Sequence, residues 1–511
     1  MILNVTTMLK NKLAILALGL VVAASSCKKF LDLTPVSSTT TGNAYKTGDD
    51  IEAALTGAYG SFMATNFYQW EIYAHTDVRS DNAYCGGSND VDYYQLDMNS
   101  VPNTNGSVYR AWTELYAAIA RANSVLVNID NIKDESLTTE RRQQIIGEAL
   151  FLRAFHYYQL VSLWGGVPIE RYSNSAASKD INLPRATAEG TYTFIDSCLQ
   201  VAVRSLPASY GADNIDKVRA TKGAAYALLA KIWAQRPERN YTKVSLYCDS
   251  VLLQGYSLVP RYADLFDGNH NYNTESIMEI PYIANTSGVI NWGTEMLYPT
   301  HDNGQVPSDT WQRYCVPSRT LVSAFDKAGD VIRKNASISF ESVPWSDVFW
   351  NPCGAGDVLV PFAFKAHNPS NWSGGDHTYL FRLADILLLK AEALANLGDL
   401  ELSASFVNQV RSRVKLPDIS GNSKMELLTI ILKERQLELA FEWQRWNDLN
   451  RYNVTVSTMN GLGETYYNCN NDGTMTKGAA VNYNFNDNKT VLPIPLTELQ
   501  ANPNLTQNKG Y

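Results

Sequence analysis

The chain has 511 residues, and 43 lysines and arginines against 51 aspartates and glutamates give it a net charge of −8 at pH 7. This balance excludes the strongly basic surface that nucleic-acid-binding proteins present. Aromatic residues make up 11% of the chain and include 29 tyrosines, which is consistent with a surface that offers rings to a ligand or with an aromatic core.

The first 26 residues have the pattern of an export signal. Lys10 and Lys12 precede the apolar run LAILALGLVVAA, which is too short to span a bilayer. Small residues then precede Cys27 and resemble a bacterial lipobox, so we expect Cys27 to carry a lipid anchor and residues 27–44 to form a polar tether. The alternative is an ordinary signal peptide that happens to contain a cysteine.

Helical periodicity organises most of the remaining chain. Apolar residues recur three and four apart across 45–255 and again across 378–451, which predicts a helical scaffold. Helix–turn–helix patterns within both stretches resemble tetratricopeptide (TPR) units. Residues 256–377 are rich in Gly, Asn, Pro and Trp and largely lose the helical period, so we expect loops there. A loop-rich tail, 452–511, follows.

The longest uninterrupted helical pattern runs from Ser423 to Arg451. Ser423 and Glu426 predict a capping box at its start. At 100° per residue, the predicted apolar face holds Leu428, Ile431, Leu439, Trp446 and Leu449. The predicted polar face holds Lys433, Gln436, Gln444, Asn447 and Arg451.

Four charges, Arg435, Glu438, Glu442 and Arg445, project within the apolar face. If that face is buried, the four charges must be neutralised by one another or by partners elsewhere, because an unpaired buried charge is very costly. We interpret them as a structural ionic network. The alternative takes Glu438 and Glu442 as paired catalytic carboxylates, but the flanking arginines favour keeping both ionised, whereas acid catalysis needs one raised pKa.

Cysteine and histidine patterns give no metal or redox motif. Cys198 and Cys248 share the apolar spacing of their helices, which indicates core positions. The loop cysteines can form disulfides whose connectivity the spacing leaves open; they are Cys85, Cys315, Cys353 and Cys469. The six histidines show no ligand spacing, and the run from Asp267 to Glu275 does not follow a calcium-binding loop. We therefore expect no metal and no cofactor.

Five segments, in this order, resemble one family along nearly the whole chain. They are the lipobox with CKKFLDLTP, then GEALFLRAFHYYQLVSLWGGVPI, YLFRLADILLLKAEALANLGD, ILKERQLELAFEWQRWNDLNR and PIPLTELQANPNLTQNKGY. The chain is similar to the SusD/RagB family of outer-membrane nutrient-binding lipoproteins of Bacteroidota.

The resemblance implies one mainly α-helical domain over 45–511, with a TPR-like scaffold and irregular loops that bind the ligand. It also implies a SusC-type TonB-dependent transporter as partner, a position in the outer membrane facing the exterior, and no catalysis. The ligand would be a glycan or, in the RagB-like branch, a peptide. The competing classes are a lipid-anchored glycosidase and a TPR scaffold that binds only proteins.

Sugar binding without catalysis needs flat aromatic faces together with planar amide, carboxylate or guanidinium groups. Two loop regions supply both kinds of group, and the resemblance places the ligand site in loops at corresponding positions. The first region begins at Tyr68 and offers Asp81, Asn82, Tyr84, Tyr93 and Tyr94. The second offers Trp292, Tyr298, Asp309, Trp311, Arg313, Trp345 and Trp350.

Overall fold

A computed structural model describes residues 45–86, 90–171, 182–293, 297, 314–343, 345–354, 358–367, 374–421 and 423–511. The export signal, Cys27 and the tether lie outside the described residues. The α-helices are α1 (Gly48–Tyr59), α2 (Glu71–Tyr73), α3 (Val91–Asp97), α4 (Gly106–Asn128), α5 (Thr139–Trp164), α6 (Ala188–Ser205), α7 (Asp213–Asp216), α8 (Lys222–Gln235), α9 (Tyr241–Leu252), α10 (Arg319–Ala328), α11 (Val331–Ser337), α12 (Leu383–Leu397), α13 (Leu400–Arg413), α14 (Lys424–Glu438), α15 (Arg445–Arg451), α16 (Thr455–Asn460) and α17 (Leu496–Ala501).

Short strands form four separate antiparallel pairs within the described residues. The strands are β1 (Ala83–Tyr84), β2 (Ser276–Ile280), β3 (Val316–Pro317), β4 (Ile338–Ser342), β5 (Leu359–Ala363), β6 (Thr378–Arg382), β7 (Thr465–Cys469) and β8 (Met475–Ala480). β1 pairs with β3, β2 with β6, β4 with β5, and β7 with β8. Several of these pairs join residues that are far apart in sequence, so they fasten the loops to one another.

Helix α5 lies at the centre of the scaffold. It is buried on all sides from Gly147 to Trp164 and packs between α4 and α6. A helix that is apolar around its whole circumference must be covered on every side. The Thr138 hydroxyl accepts a hydrogen bond from the N–H of Arg141 at the start of α5, and Gly165 ends it with φ 74°.

Two helix pairs resemble TPR units. The pair α8–α9 packs closely because α8 presents small buried residues, which include Ala224, Ala225, Ala227 and Ala230. In the pair α12–α13, Gly398 closes α12 in the left-handed conformation, and the Asp399 side chain caps α13. Since α9 also packs on α12, the two pairs stack on each other.

The middle of the chain contains more regular structure than its composition predicts. Within 256–377, helices α10 and α11 and strands β2 to β5 are present. Ser318 caps the start of α10 and Gly329, with φ 66°, ends it. The expectation that helical structure largely disappears there is therefore wrong at these two helices, which are too short to produce a long periodic pattern.

The predicted continuous helix from Ser423 to Arg451 is also wrong. Its start is correct, because the Ser423 hydroxyl accepts from the N–H of Glu426 at 3.2 Å. However, α14 ends at Glu438 and α15 begins at Arg445. Between the two helices, Phe441 and Trp443 take φ values of 62° and 64°, which side chains other than glycine rarely adopt.

Side chains from elsewhere account for this break. The backbone carbonyl of Glu438 accepts hydrogen bonds from Tyr262 Oη at 2.7 Å, Arg382 Nη2 at 2.8 Å and Lys365 Nζ at 2.9 Å. These donors replace the partner that a continuing helix would supply. The Phe441 N–H donates to Asp77 Oδ1 at 3.1 Å.

The break also changes which residues are buried. Gln436, Asn447 and Arg451, predicted on the polar face, are 6% exposed each. Asn447 and Arg451 lie after the break, where α15 no longer continues the rotation of α14. Gln436 lies before the break and is buried against Asp81 and Asn82. The predicted polar face is therefore wrong at these three positions.

The four charges on the predicted apolar face find partners elsewhere in the chain. Arg435 pairs with Asp385 at 2.7 Å and with Asp448 at 2.8 Å. Arg445 Nε lies 2.6 Å from Asp81 Oδ1. Each of these side chains is buried, so the pairs compensate charges that would otherwise be very costly.

Glu438 and Glu442 lie in one cluster, the Glu438 network. Its acids are Glu275, Asp330, Glu434, Glu438 and Glu442, and its cations are Arg333, Lys365, Arg382, Arg411 and Arg413. Burial alone would raise the pKa of the Glu438 carboxyl. The surrounding arginines reverse this effect and hold its pKa below the ordinary value.

Among the described residues, no helix combines the length and the apolar character that crossing a membrane would require.

We expect Glu438→Gln to lower the free energy of unfolding by about 3–5 kcal/mol, because three arginines lose the charge that compensates them. Urea denaturation followed by circular dichroism measures this loss. The matched control is Glu401→Gln on the exposed side of α13, which should change stability by less than about 0.5 kcal/mol. Equal stability of the two variants would contradict the assigned role of the network.

Candidate functional site

Four of the five residues predicted in the first loop region are buried. Asp81 accepts from Arg445 Nε and Nη2, both at 2.6 Å, and from Gln436 Nε2 at 3.0 Å. The Asn82 amide donates to Asp77 Oδ1 at 3.1 Å and accepts from Gln436. Their expected role as ligand contacts is wrong, because both side chains bind the segment around the α14–α15 break.

Tyr84 and Tyr93 are likewise turned inward. The Tyr84 hydroxyl donates to Asp347 Oδ1 at 2.7 Å, and the side chain is 1% exposed. Tyr93 is 3% exposed, and its ring centroid lies 4.9 Å from that of Tyr314. Neither ring is available to a ligand in solution. Tyr94, in contrast, is 37% exposed beside Tyr466 of β7.

The structure brings the two predicted loop regions together through Asp347. Its Oδ1 atom accepts from the Tyr84 hydroxyl of the first region and from the N–H groups of Phe349 and Trp350 in the second, at 2.9 and 3.0 Å. The Tyr84 and Phe349 ring centroids are 4.3 Å apart. Tyr84 therefore positions residues 345–354, which we call the Trp350 loop, instead of contacting a ligand.

Trp350 belongs to a half-buried group that we call the arginine–aromatic site, formed by Arg319, Trp350 and Tyr467. The Arg319 guanidinium carbon lies 4.3 Å from the Trp350 ring centroid and 4.5 Å from the Tyr467 ring centroid. Its Nε donates to the Phe349 carbonyl at 2.7 Å. Stacking between two rings holds the guanidinium in a fixed plane.

The remaining N–H groups of this site differ in their hydrogen bonding. The Trp350 indole N–H donates to the Pro317 carbonyl at 3.3 Å. Within the part of the chain that the structure describes, no hydrogen bond engages the two Nη groups of Arg319. Burial raises the pKa of neighbouring Tyr466 to about 12, so its hydroxyl stays protonated at neutral pH.

A disulfide between Cys353 and Cys469 joins the Trp350 loop to β7. The Tyr467 N–H also donates to the Val348 carbonyl at 2.8 Å. The other cysteines of the described residues, Cys85, Cys198, Cys248 and Cys315, are buried and form no disulfide. Both the disulfide and the backbone hydrogen bond place Tyr467 opposite Trp350 across the Arg319 side chain.

Trp292 lies in a different aromatic group together with Trp70. The Trp292 N–H donates to Gln69 Oε1 at 2.6 Å, and the Trp70 indole donates to the Trp292 carbonyl at 3.0 Å. π-Helical turns, Thr65–Gln69 and Ala74–Val78, flank Trp70; such turns often occur at functional sites. Both tryptophans are half-buried.

The other predicted tryptophan, Trp345, is half-buried and packs edge to face against Phe362, with the ring centroids 6.2 Å apart. Four predicted ligand residues, Tyr298, Asp309, Trp311 and Arg313, lie outside the described residues.

Trp70, Arg319 and Tyr467 were not predicted from the sequence. Trp70 lies only two residues after Tyr68, where the first predicted region began, and is itself a tryptophan outside a regular helix. Arg319 and Tyr467 gave no comparable signal, because nothing local connects them to Trp350.

Within the described residues, one group of side chains lies close enough to share a cation. Atoms of Asp264, Asp267 and His270 are within 4.8 Å of one another. However, the Asp267 carboxylate already accepts from the N–H of Asn269 at 2.8 Å and contacts His270 Nδ1 at 2.8 Å. Glu275, at the end of the same polar run, is buried against Arg382 and Arg413. The polar side chains from Asp267 to Glu275 therefore do not converge on one cation site.

Comparisons with known proteins decide the family. A sequence profile described as "SusD family" matches residues 360–511, and one described as "Starch-binding associating with outer membrane" matches residues 29–233. The chain belongs to the SusD/RagB family. SusD-like protein P25 of Formosa agariphila is 26% identical over 536 residues, covering 96% of this chain and 98% of that protein.

Solved SusD-like structures share the fold. A SusD homologue from Bacteroides thetaiotaomicron has a TM-score of 0.78 at 21% identity, covering 93% of this chain and 99% of that one. A laminarin-binding SusD-like protein has a TM-score of 0.73 at 23% identity, covering 91% and 100%. The family and the mainly α-helical fold expected from the sequence are confirmed.

The disulfide assignment predicts a thiol count. After unfolding without reductant, a chain carrying Cys27→Ser should expose four reactive thiols, because Cys353 and Cys469 are paired. Reduction should raise the count to six. Titration with a chromogenic disulfide reagent measures both values, and six thiols before reduction would contradict the cross-link.

Proposed function

We propose that this SusD/RagB-family chain is a non-catalytic, lipid-anchored protein of the outer-membrane surface that binds glycans. It delivers them to a SusC-type TonB-dependent transporter for uptake. Family membership supports this proposal, as does the description of one matching profile, which joins starch binding with the outer membrane. A structural neighbour with the same fold is named as laminarin-binding.

The arginine–aromatic site is the observation that carries the proposal. Pyranose rings have an apolar face and a rim of hydroxyl groups, so they bind best to aromatic rings next to planar hydrogen-bonding groups. Trp350 and Tyr467 supply the rings, and Arg319 supplies uncommitted N–H donors between them. The disulfide Cys353–Cys469 holds the loops before any ligand arrives, which lowers the entropy cost of binding.

The carboxylates that came closest to a glycosidase pair support a non-catalytic role. Arg382 Nε lies 2.6 Å from Glu442 Oε2, and Lys365 Nζ lies 2.6 Å from Glu442 Oε1. Although burial opposes the charged form, Arg382 and Lys365 lower the pKa of Glu442. A glycosidase acid needs a raised pKa and contact with its substrate. Glu438 meets neither requirement, because its pKa is lowered and its side chain is 0% exposed.

We expect Trp350→Ala to weaken glycan binding by about tenfold to a hundredfold, because a buried aromatic contact contributes roughly 1.5–3 kcal/mol. Affinity electrophoresis and calorimetry against starch, laminarin and a mixed peptide pool measure the change. Lower affinity for one glycan together with no peptide binding is the expected result. Binding of peptides alone would favour the RagB-like alternative.

Trp233→Ala provides a matched control for this experiment. Trp233 is also half-buried and stacks on two cations, with Arg236 at 4.0 Å and Lys243 Nζ at 3.5 Å from its ring centroid, but it lies on the scaffold helix α8. Its removal should leave glycan affinity unchanged. Equal losses in the two tryptophan variants would contradict the assignment of the arginine–aromatic site.

Anchoring and delivery are tested in cells that express the chain. Cys27→Ala should release the protein from the membrane fraction, because the lipid is attached through that thiol. The wild-type chain should be cleaved by protease added to intact cells and should co-purify with a TonB-dependent transporter. A wild-type chain that is protected from protease, or purifies without a transporter, would contradict the proposed location or partner.

A further inference from the structure

A cavity of about 390 Å³ lies on the scaffold, in a region separate from the arginine–aromatic site. The C-terminal ends of α5 and α8 meet there with the start of α6, the turn from α15 to α16, and the tail. Its polar lining includes Ser162, Tyr192, Gln235, Arg239, Asn450 and Asn453. The volume falls within the range of small-molecule sites.

One polar atom of this cavity is buried without a hydrogen-bond partner. It is the Nε of Arg239. Ser162, which also lines the cavity, is 8% exposed, and its hydroxyl interacts with those of Tyr158 and Tyr192. Since native proteins pair nearly all their buried polar atoms, the Arg239 Nε points to a ligand that supplies an acceptor.

The charge of Arg239 defines the ligand further. No carboxylate of the described residues forms an ion pair with this half-buried guanidinium. Its neighbour in sequence, Arg236, in contrast, pairs with Glu189. A guanidinium without an internal partner at the wall of a cavity is suited to bind a carboxylate through two parallel hydrogen bonds.

The rest of the lining suits a polyhydroxylated ring. Asn450, Asn453 and Gln235 offer amide donors and acceptors, and the exposed Asp487 accepts from hydroxyl groups. Val456 and Val491 add an apolar wall, against which one face of a pyranose can pack.

We propose that this cavity binds a hexuronate, a sugar ring that carries one carboxylate, with Arg239 contacting the carboxylate and Ser162 a ring hydroxyl. The site shares no residue with the arginine–aromatic site and is independent of the proposed function. The protein would thus recognise an acidic sugar on its scaffold in addition to the glycan on its loops.

Calorimetry on the full chain carrying Cys27→Ser tests this proposal with three probes: D-glucuronate, D-glucose and acetate. D-glucuronate should bind at one site at least tenfold more tightly than either other probe, because only it supplies both the carboxylate and the ring. Equal binding of acetate would reduce the cavity to a general anion site and overturn the proposal. Equal binding of D-glucose, or no binding of D-glucuronate, would also overturn it.

Substitutions locate the binding. Arg239→Gln should raise the Kd for D-glucuronate by about tenfold to a hundredfold, and Ser162→Ala by roughly twofold to tenfold, as expected for a charged and a neutral hydrogen bond. Arg239 has no internal ion pair to lose, so Arg239→Gln should fold normally by circular dichroism. Arg261→Gln, at an arginine whose side chain is 77% exposed and outside the cavity, is the matched control.

Trp350→Ala separates the two sites. It should leave the affinity for D-glucuronate unchanged even where it weakens glycan binding. An unchanged Kd in Arg239→Gln, or a Kd that responds to Trp350→Ala instead, would contradict the assignment to the scaffold cavity.

Discussion

Arg333, Arg382 and Arg413 contact the buried carboxylate of Glu438. Its backbone carbonyl accepts from Tyr262, from Lys365 and from a second N–H group of Arg382. A charge removed from water must be compensated by neighbours in fixed positions. These neighbours come from α11, β6 and α13, so one residue ties three distant parts of the chain to α14. The same contacts end α14 at Glu438, and Phe441 and Trp443 then adopt left-handed backbone conformations.

The loops depend on this arrangement. Because the chain turns after Glu438, Arg445 reaches Asp81, which is 364 residues away in sequence. Gln436 also donates a hydrogen bond to Asn82. Tyr84, two residues further along the chain, donates to Asp347 at the base of the Trp350 loop. Buried polar contacts thus position the half-buried Trp350, Arg319 and Tyr467, and the disulfide Cys353–Cys469 fixes the opposite side of the group.

Features that depend on residues close together in the sequence could be predicted from the sequence. The cap at Ser423 and the paired helices could both be inferred from spacing and residue type. The break after Glu438 could not, because the helical period continues through it and the donors that end α14 come from Tyr262, Lys365 and Arg382. Asp81 was predicted as a ligand contact for a similar reason: an acidic residue in a loop gives no sign that an arginine 364 residues later will bury it. Arg319 and Tyr467 were missed because the stacking that defines them joins α10, the Trp350 loop and β7.

In the proposed division of roles, buried charges build the scaffold, and the loops of the arginine–aromatic site bind the glycan. Hydrogen–deuterium exchange of the full chain, with and without a bound oligosaccharide, tests this division most directly. We expect slower exchange on binding in residues 314–354 and 465–480, which carry the arginine–aromatic site, and no change across 424–451. Slower exchange confined to 424–451 would place the ligand at the helices and contradict the claim.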